Sequence, residues 1–358
     1  MIIGILKEAN DNRVAVVPAT LKKLQDLVDD IWVETGAGLN AGFDDAAYQE
    51  FGKVKSRGDI LSQSDVVIGI NPMTEDDLSN MKEGAVAMAM FAPFADEQIV
   101  DVLRKHQVKA FSFDMIPRTT LAQSMDILSA MASIAGYKAV IQAADVLPRY
   151  YPMMITAAGS IKPATVLVLG AGVAGLQAIA TAKRLGAMVE AFDVRSAAKE
   201  EVLSLGAKFI EVEGAVDDKD AGGYAVQQSE EYLQRQRAEV QNRASKADVI
   251  ITTAQVRGRK APVLLPAETV EKMKRGSVVV DLAASTGGNC ALTQNGQTIV
   301  TENGVKIIGN SNLPSTMAQD ASTLVSNNIF NFLKYIIKEG TINYDMEDEI
   351  ISSALITQ

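Results

Sequence analysis

Residues 165–175 read TVLVLGAGVAG, and no other stretch restricts the fold so tightly. An apolar run of strand length leads into three glycines spaced G-x-G-x-x-G: Gly170, Gly172 and Gly175. The segment LQAIATAKRLGA follows with helical spacing, and AMVEAFD then ends in Asp193. Strand, glycine turn, helix, strand and acidic residue is the order of a dinucleotide-binding βαβ unit. Gly170 permits the tight turn, Gly172 lets backbone N–H groups approach a pyrophosphate, and Gly175 lets helix and strand pack closely. The pyrophosphate would lie at the positive end of the helix dipole. Asp193 would accept hydrogen bonds from the adenosine ribose hydroxyls. Its charge would repel a 2′-phosphate, which selects NAD(H) over NADP(H). Arg195 reads as a wall or a solvated charge. Val173 and Val194 stand beside these positions. Two later strand exits belong to the same sheet edge: ITTAQ, with Ala254 and Gln255, and VVVDLAASTGGN, with Leu282.

The rest of the chain has the same grammar. A length of 358 residues suggests two domains. Apolar residues are 47% of the chain and aromatics only 5%, a balance suited to parallel sheets covered by helices on both faces. IIGIL, IWVET, DVVIGI, AVAMAMF and KAFSF read as strands, with TLKKLQDLVDD, DDAAYQEFG and ADEQIVDVLRKHQ as helices between them. A long helix is expected from an N-cap at Ser124 to a stop at Pro148, then a loop, YYPMMITAAGSIKPA. Further strands are AKFIEV, ADVIITT, GSVVVDLA and VKIIG. Another long helix follows Pro314. The expected fold is α/β: two doubly wound, Rossmann-like parallel-sheet domains joined by long helices, with a cleft between them. The boundaries are 1–135 with 314–358, and 136–313. The polar segment 214–246 reads as a loop leading into a charged helix, or as a mobile flap.

The totals exclude several classes. A formal charge of −10 and the lack of a basic stripe argue against nucleic acid as a partner. The single cysteine, Cys290, rules out a disulfide framework and a cysteine zinc site, and no metal is expected. The N-terminal apolar run is too short for a signal peptide, and no stretch approaches bilayer-spanning length, so direct membrane insertion is not expected. A dehydrogenase acting on an alcohol or amino acid needs a group that moves a proton. The only histidine, His106, sits near the end of a surface helix, where a cation suits the helix dipole. Hydride transfer from one nicotinamide to another needs no such group.

One more cluster stands out: RTTLAQSMD, residues 118–126, just ahead of the long helix. With NRVAVVPAT, ETGAG, IAGYKAV, ITAAG, GAGVAGLQAIATAKRLGA, FDVR, GGYA, KAPVLL, GSVVVDLA, GGNC, ENGVKIIG and NLPS, it makes the chain resemble the soluble NAD(H)-binding component (domain I, alpha subunit) of proton-translocating transhydrogenase. The resemblance implies that Arg118, Gln123, Asp126 and Ser129 orient the nicotinamide, with Asp126 holding Arg118. It also implies that Gly223 and Tyr224 lie on a mobile loop closing over the nucleotide. Hydride would pass to or from NADP(H) on a partner domain III, coupled to proton translocation by a membrane domain II. The chain would be a homodimer, peripheral on the cytoplasmic side of the inner membrane. Alanine dehydrogenase is the wider relative. At about the positions of its catalytic lysine, histidine and aspartate stand Ile70, Met90 or Phe91, and Ser285, while Arg13 is retained. An amino-acid dehydrogenase and a non-catalytic NAD(H) sensor are the rival readings.

Overall fold

The structure is a computed structural model that describes residues 1–212 and 229–357. The chain folds into two compact units, Met1–Met131 with Pro314–Gln358, and Ala132–Leu313.

In the first unit strands and helices alternate: β1 (Ile2–Ile5), α1 (Pro18–Leu24), β2 (Asp30–Glu34), α2 (Asp45–Gln49), β3 (Lys53–Lys55), α3 (Arg57–Gln63), β4 (Val66–Ile68), α4 (Glu75–Ser79), β5 (Val86–Ala89), α5 (Ile99–Lys105) and β6 (Lys109–Ser112). The strands pair in parallel in the order β3-β2-β1-β4-β5-β6. β4 and β5 are buried at every residue, as expected for strands covered on both faces. Side chains of Asp44, Ser56 and Thr74 cap α2, α3 and α4. β3, with sequence KVK, gives no apolar run to read, because it is a half-exposed edge strand.

α6 (Ile127–Val146) carries the chain into the second unit, and the division falls inside it. It begins three residues later than the expected cap. The carbonyl of Ser124 already accepts from the side-chain amides of Asn328 and Asn331, at 2.8 and 3.1 Å. The carboxylate of Asp126 instead accepts from the backbone of Ser129 at 2.9 Å, satisfying a free N–H of the first turn. By length and composition α6 is apolar enough to cross a membrane, contrary to the expectation that no stretch would be. Ile127, Met131, Ile134, Ala139, Val140 and Ala143 of this helix are buried in the protein.

The segment expected to be a loop after Pro148 contains a hairpin, β7 (Met154–Thr156) with β8 (Gly159–Ile161). Then follow β9 (Thr165–Leu169), α7 (Val173–Arg184), β10 (Met188–Phe192), α8 (Ala198–Ser204), β11 (Lys208–Phe209), α9 (Glu230–Ala244), β12 (Val249–Thr252), α10 (Ala267–Glu271), β13 (Val278–Asp281), β14 (Thr298–Val300) and β15 (Lys306–Ile308). The order is β11-β10-β9-β12-β13-β15-β14, parallel except for β14. Strand alternation splits the core in two. Val166, Val168, Ile251 and Val280 face a core shared with α6, α7 and α8. Leu167, Leu169, Ile250 and Val279 face the one shared with α9 and α10.

The chain then returns to the first unit through α11 (Ala318–Ile336), a short hairpin of β16 (Ile337–Lys338) and β17 (Thr341–Ile342), and α12 (Glu349–Ala354). Hydroxyls of Ser322 and Ser326 on α11 accept from the backbone of Val14 and Val17. The Phe332 ring packs edge-on against Phe111 and Phe113.

Candidate dinucleotide site

Both sheets reverse their order beside their first strand, between β1 and β4 and between β9 and β12. Ligands of doubly wound folds bind at the carboxyl ends of the strands at such a point. In the second unit the glycine turn lies there. Gly170 has φ +102°, and a Cβ on it would stand 2.5 Å from the Thr253 hydroxyl. That hydroxyl donates to the Gly170 carbonyl at 3.0 Å, tying the end of β12 to the turn. A Cβ on Gly175 would stand 1.9 Å from the Gly170 carbonyl oxygen. Gly170 and Gly175 are therefore required by packing. Gly172 differs, since its Cβ direction meets nothing within 4 Å. It precedes α7, which starts without a side-chain cap, with Val173 well exposed. Free N–H groups of a helix start beside open space suit a diphosphate in charge and shape.

Asp193 stands beside the glycine turn, just beyond the end of β10. Its carboxylate accepts from the Ala171 backbone at 2.7 Å, the Arg195 backbone at 2.8 Å, and both Nε and Nη2 of Arg195 at 3.0 Å. Burial pushes its pKa up, but the Arg195 hydrogen bonds outweigh this and hold the carboxyl below its ordinary value. Arg195 is about half-exposed but is not a free charge. It engages the acidic group in a two-pronged contact. Val194 is exposed beside them.

The part of the edge beyond β12 and β13 is braced by two further side chains. Asp281, at the end of β13, is fully buried and accepts from Thr252 and Thr293 hydroxyls at 2.9 and 2.7 Å, and from Ala283 and Cys290 backbone N–H groups at 3.0 Å. Asn289, also fully buried, accepts from the Ala254 backbone at 2.9 Å and donates to the carbonyls of Ala254 and Pro262 at 2.8 Å. Gln255 donates to the Leu282 carbonyl at 2.9 Å. Ala254, Gln255 and Leu282 are thus joined along the edge as the strand exits implied. The polar Asn289 in GGNC, just past a strand exit, is the one available signal for this brace.

In the first unit RTTLAQSMD forms a short 3₁₀ turn, Ala122–Met125, ahead of α6. Asp126 accepts from the Ser129 hydroxyl at 2.6 Å as well as from its backbone. The Nε of Arg118 stands 3.8 Å from Asp126, and its side chain is 69% exposed, so the pair is a loose ionic contact. Gln123 is exposed. Ala122 and Met125 are buried and anchor the turn while its polar side chains face out. Gly223 and Tyr224 lie outside the described residues. His106 packs against α4, its Nδ1 3.4 Å from the Ser79 hydroxyl. Ile70 and Phe91 are buried, Ser285 is exposed, and Arg13 is locked in a buried ion pair with Asp11.

The alanine dehydrogenase/PNT N-terminal domain matches residues 4–135, and the alanine dehydrogenase/PNT C-terminal domain matches residues 139–358. The chain is 45% identical to the first part of the NAD(P) transhydrogenase alpha subunit of Rhodospirillum rubrum, covering all of this chain and 96% of that protein. A crystal structure of transhydrogenase from Sinorhizobium meliloti superposes with a TM-score of 0.91 at 41% identity, covering 100% of this chain and 99% of the other. An L-alanine dehydrogenase structure, 24% identical with a TM-score of 0.82 over 99% and 94% of the two chains, shares the fold.

Proposed function

Because the chain belongs to the alanine dehydrogenase/PNT family, on its transhydrogenase branch, we propose that it is the NAD(H)-binding component of a proton-translocating transhydrogenase. The observation that carries this reading is the glycine turn, where two glycines are fixed by packing and the third opens onto the uncapped start of α7. Bound there, NAD(H) supplies a hydride donor or acceptor. The chain's own residues bind and aim. N–H groups at the start of α7 hold the diphosphate. Asp193 takes the ribose hydroxyls and disfavours a 2′-phosphate, with Arg195 yielding part of its contact. Ala254, Gln255 and Leu282 frame the nicotinamide end, held by Asn289 and Asp281. Arg118, Gln123, Asp126 and Ser129 orient the nicotinamide, and Gly223 and Tyr224 close over the nucleotide.

Catalysis on this reading comes from placement rather than proton transfer. The second nucleotide, NADP(H), is carried by a separate component, and a membrane component couples the exchange to proton movement. The chain acts as a homodimer on the cytoplasmic face, peripheral through its complex. The buried residues Ile70 and Phe91, and the internal pairing of Arg13, disfavour keto-acid chemistry.

The test mixes NADH and this chain with the purified NADP(H)-binding component, then with pyruvate and ammonia instead. Hydride transfer is expected only in the first mixture. Reduction of pyruvate by the chain alone would overturn the assignment. Asp193→Ala should weaken NADH binding in a fluorescence titration by about 10-fold, the scale of one or two lost hydrogen bonds to a charged group. Gln123→Asn should slow hydride transfer and leave NADH affinity largely intact. Equal rates for variant and wild type, with the chemical step limiting, would remove Gln123 from its role.

A further inference from the structure

The edge of the second sheet carries a feature that the dinucleotide does not use. After Gln255 the chain reads VRGRK, and all six residues from Gln255 to Lys260 are exposed. Arg257, Arg259 and Lys260 make three cations within four residues, in a chain whose formal charge is −10. Among the described residues none of the three forms an ion pair, whereas Arg149, Arg195 and Arg243 of the same unit all do. Exposed Val256 and Val263 flank the cations.

The tract is pre-shaped. Gln255 is tied to the Leu282 carbonyl at its start, and Ala261 donates to the Thr286 carbonyl at 2.8 Å at its end. Between them Arg259 donates back to the Val256 carbonyl at 3.1 Å, and Gly258 takes φ +68°, closing a tight turn. The stem of Lys260 lies over Gly287, whose Cβ direction would meet it at 2.9 Å.

We propose that the loop Val256–Lys260 is the electrostatic docking element for the NADP(H)-carrying component, and that it meets an acidic surface on that protein. The inference rests on the proposed function and adds to it where the partner engages. Direct hydride transfer needs donor and acceptor atoms about 3–3.5 Å apart, so the acceptor's carrier must press on the loops that frame this edge. Among the described residues, the exits of the central strands β9, β10, β12 and β13 are the loops 170–173, 193–197, 253–262 and 282–289. The first and last contain no charged residue, and in the second Arg195 is matched by Asp193. Of these four loops, 253–262 alone presents charge without an ion-pair partner among the described residues. Its mixture of cations and exposed valines suits a protein surface better than a phosphate, which is held by converging buried donors.

The experiment uses the full chain with Arg257→Glu and Arg259→Glu together, leaving Lys260 in its packing. Two quantities are measured: NADH affinity by fluorescence titration, and affinity for the purified NADP(H)-binding component by calorimetry at low and high salt. NADH affinity should be unchanged, which also certifies the fold. Partner affinity at low salt should fall at least about 10-fold, and its salt dependence should flatten. Unaltered partner affinity and salt dependence would overturn the proposal, and so would a loss of NADH affinity, which would give the loop to the nucleotide. If the wild-type chain binds the partner but no hydride passes, the proposed function fails instead, and the docking result stands apart from it.

Discussion

At the reversal point of the first sheet, the Glu8 carboxylate reaches from beyond β1 to the backbone of Ile70 and Asn71 beyond β4, at 2.6 and 3.3 Å. At the matching point of the second sheet stand Gly170, Gly172 and Gly175. The two sheets share one order over their first five strands, so topology alone offers a ligand crevice twice. Side chains decide between them. In the first unit, Glu8, Asn71, Asp11 and Arg13 fill the edge with bonds to one another and to the backbone. In the second, polar side chains brace the edge from below, while the glycine turn leaves the surface open. The fold supplies two equivalent locations, and the glycines leave the surface of the second one open.

The contrast can be broken most severely at Gly175. Alanine is favoured over glycine in a helix by about 1 kcal/mol. Here, however, the new Cβ would meet a backbone oxygen at 1.9 Å, which no side-chain rotation relieves. Gly175→Ala should lower unfolding stability by roughly 3 kcal/mol, the upper range for overpacking, and remove measurable NADH binding. Urea unfolding and fluorescence titration check both. Next comes the brace. Asn289→Ala leaves the Ala254 N–H and two carbonyls without their partner, at a cost of about 2–3 kcal/mol. Asn289→Asp should recover part of that loss only at low pH, where a protonated carboxyl can donate again.

The closed edge of the first unit has its own signature. Burial raises the Asp11 pKa, but the hydrogen bond and charge of Arg13 bring it down to about 2, from an ordinary 3.8. A depressed folded pKa means stability that is complete above the unfolded value and lost as pH falls through the folded one. Asp11 should therefore contribute about 2 kcal/mol at neutral pH that disappears between roughly pH 4 and 2. Urea unfolding across that range should be flatter for Asp11→Asn; parallel curves would deny the linkage. The smallest effect is expected at Gly172. Alanine fits there without contact, so stability should change by less than about 0.5 kcal/mol, while NADH binding weakens because the backbone no longer approaches the diphosphate. Unaltered NADH affinity would mean that the open surface is not the binding face.

Much of this is legible in the sequence where physics is local. A buried strand announces itself by an apolar run, and β9, β12 and β13 are nearly all-apolar. β3 carries two lysines in three residues and leaves no such trace. The late start of α6 is hidden because the competitor for the Ser124 carbonyl, a pair of asparagines on α11, lies about two hundred positions away in sequence. The glycine turn is readable because its three positions have fixed spacing and a fixed reason. Asn289 and Asp281 are not, since a buried amide or carboxylate shows its worth only through partners brought together by the fold. The pairing of Arg195 is hidden for the same reason: nothing in FDVR states that the arginine folds back onto the aspartate.

The return of the chain through α11 has a consequence for biogenesis. The first sheet leaves the ribosome complete, but the serines that satisfy Val14 and Val17, and the phenylalanine that seats against Phe111, follow only after the whole second unit. The inserted unit, Ala132–Leu313, is continuous in sequence. The N-terminal half must wait with an uncovered face, and a nascent chain arrested near residue 313 would present that face to chaperones.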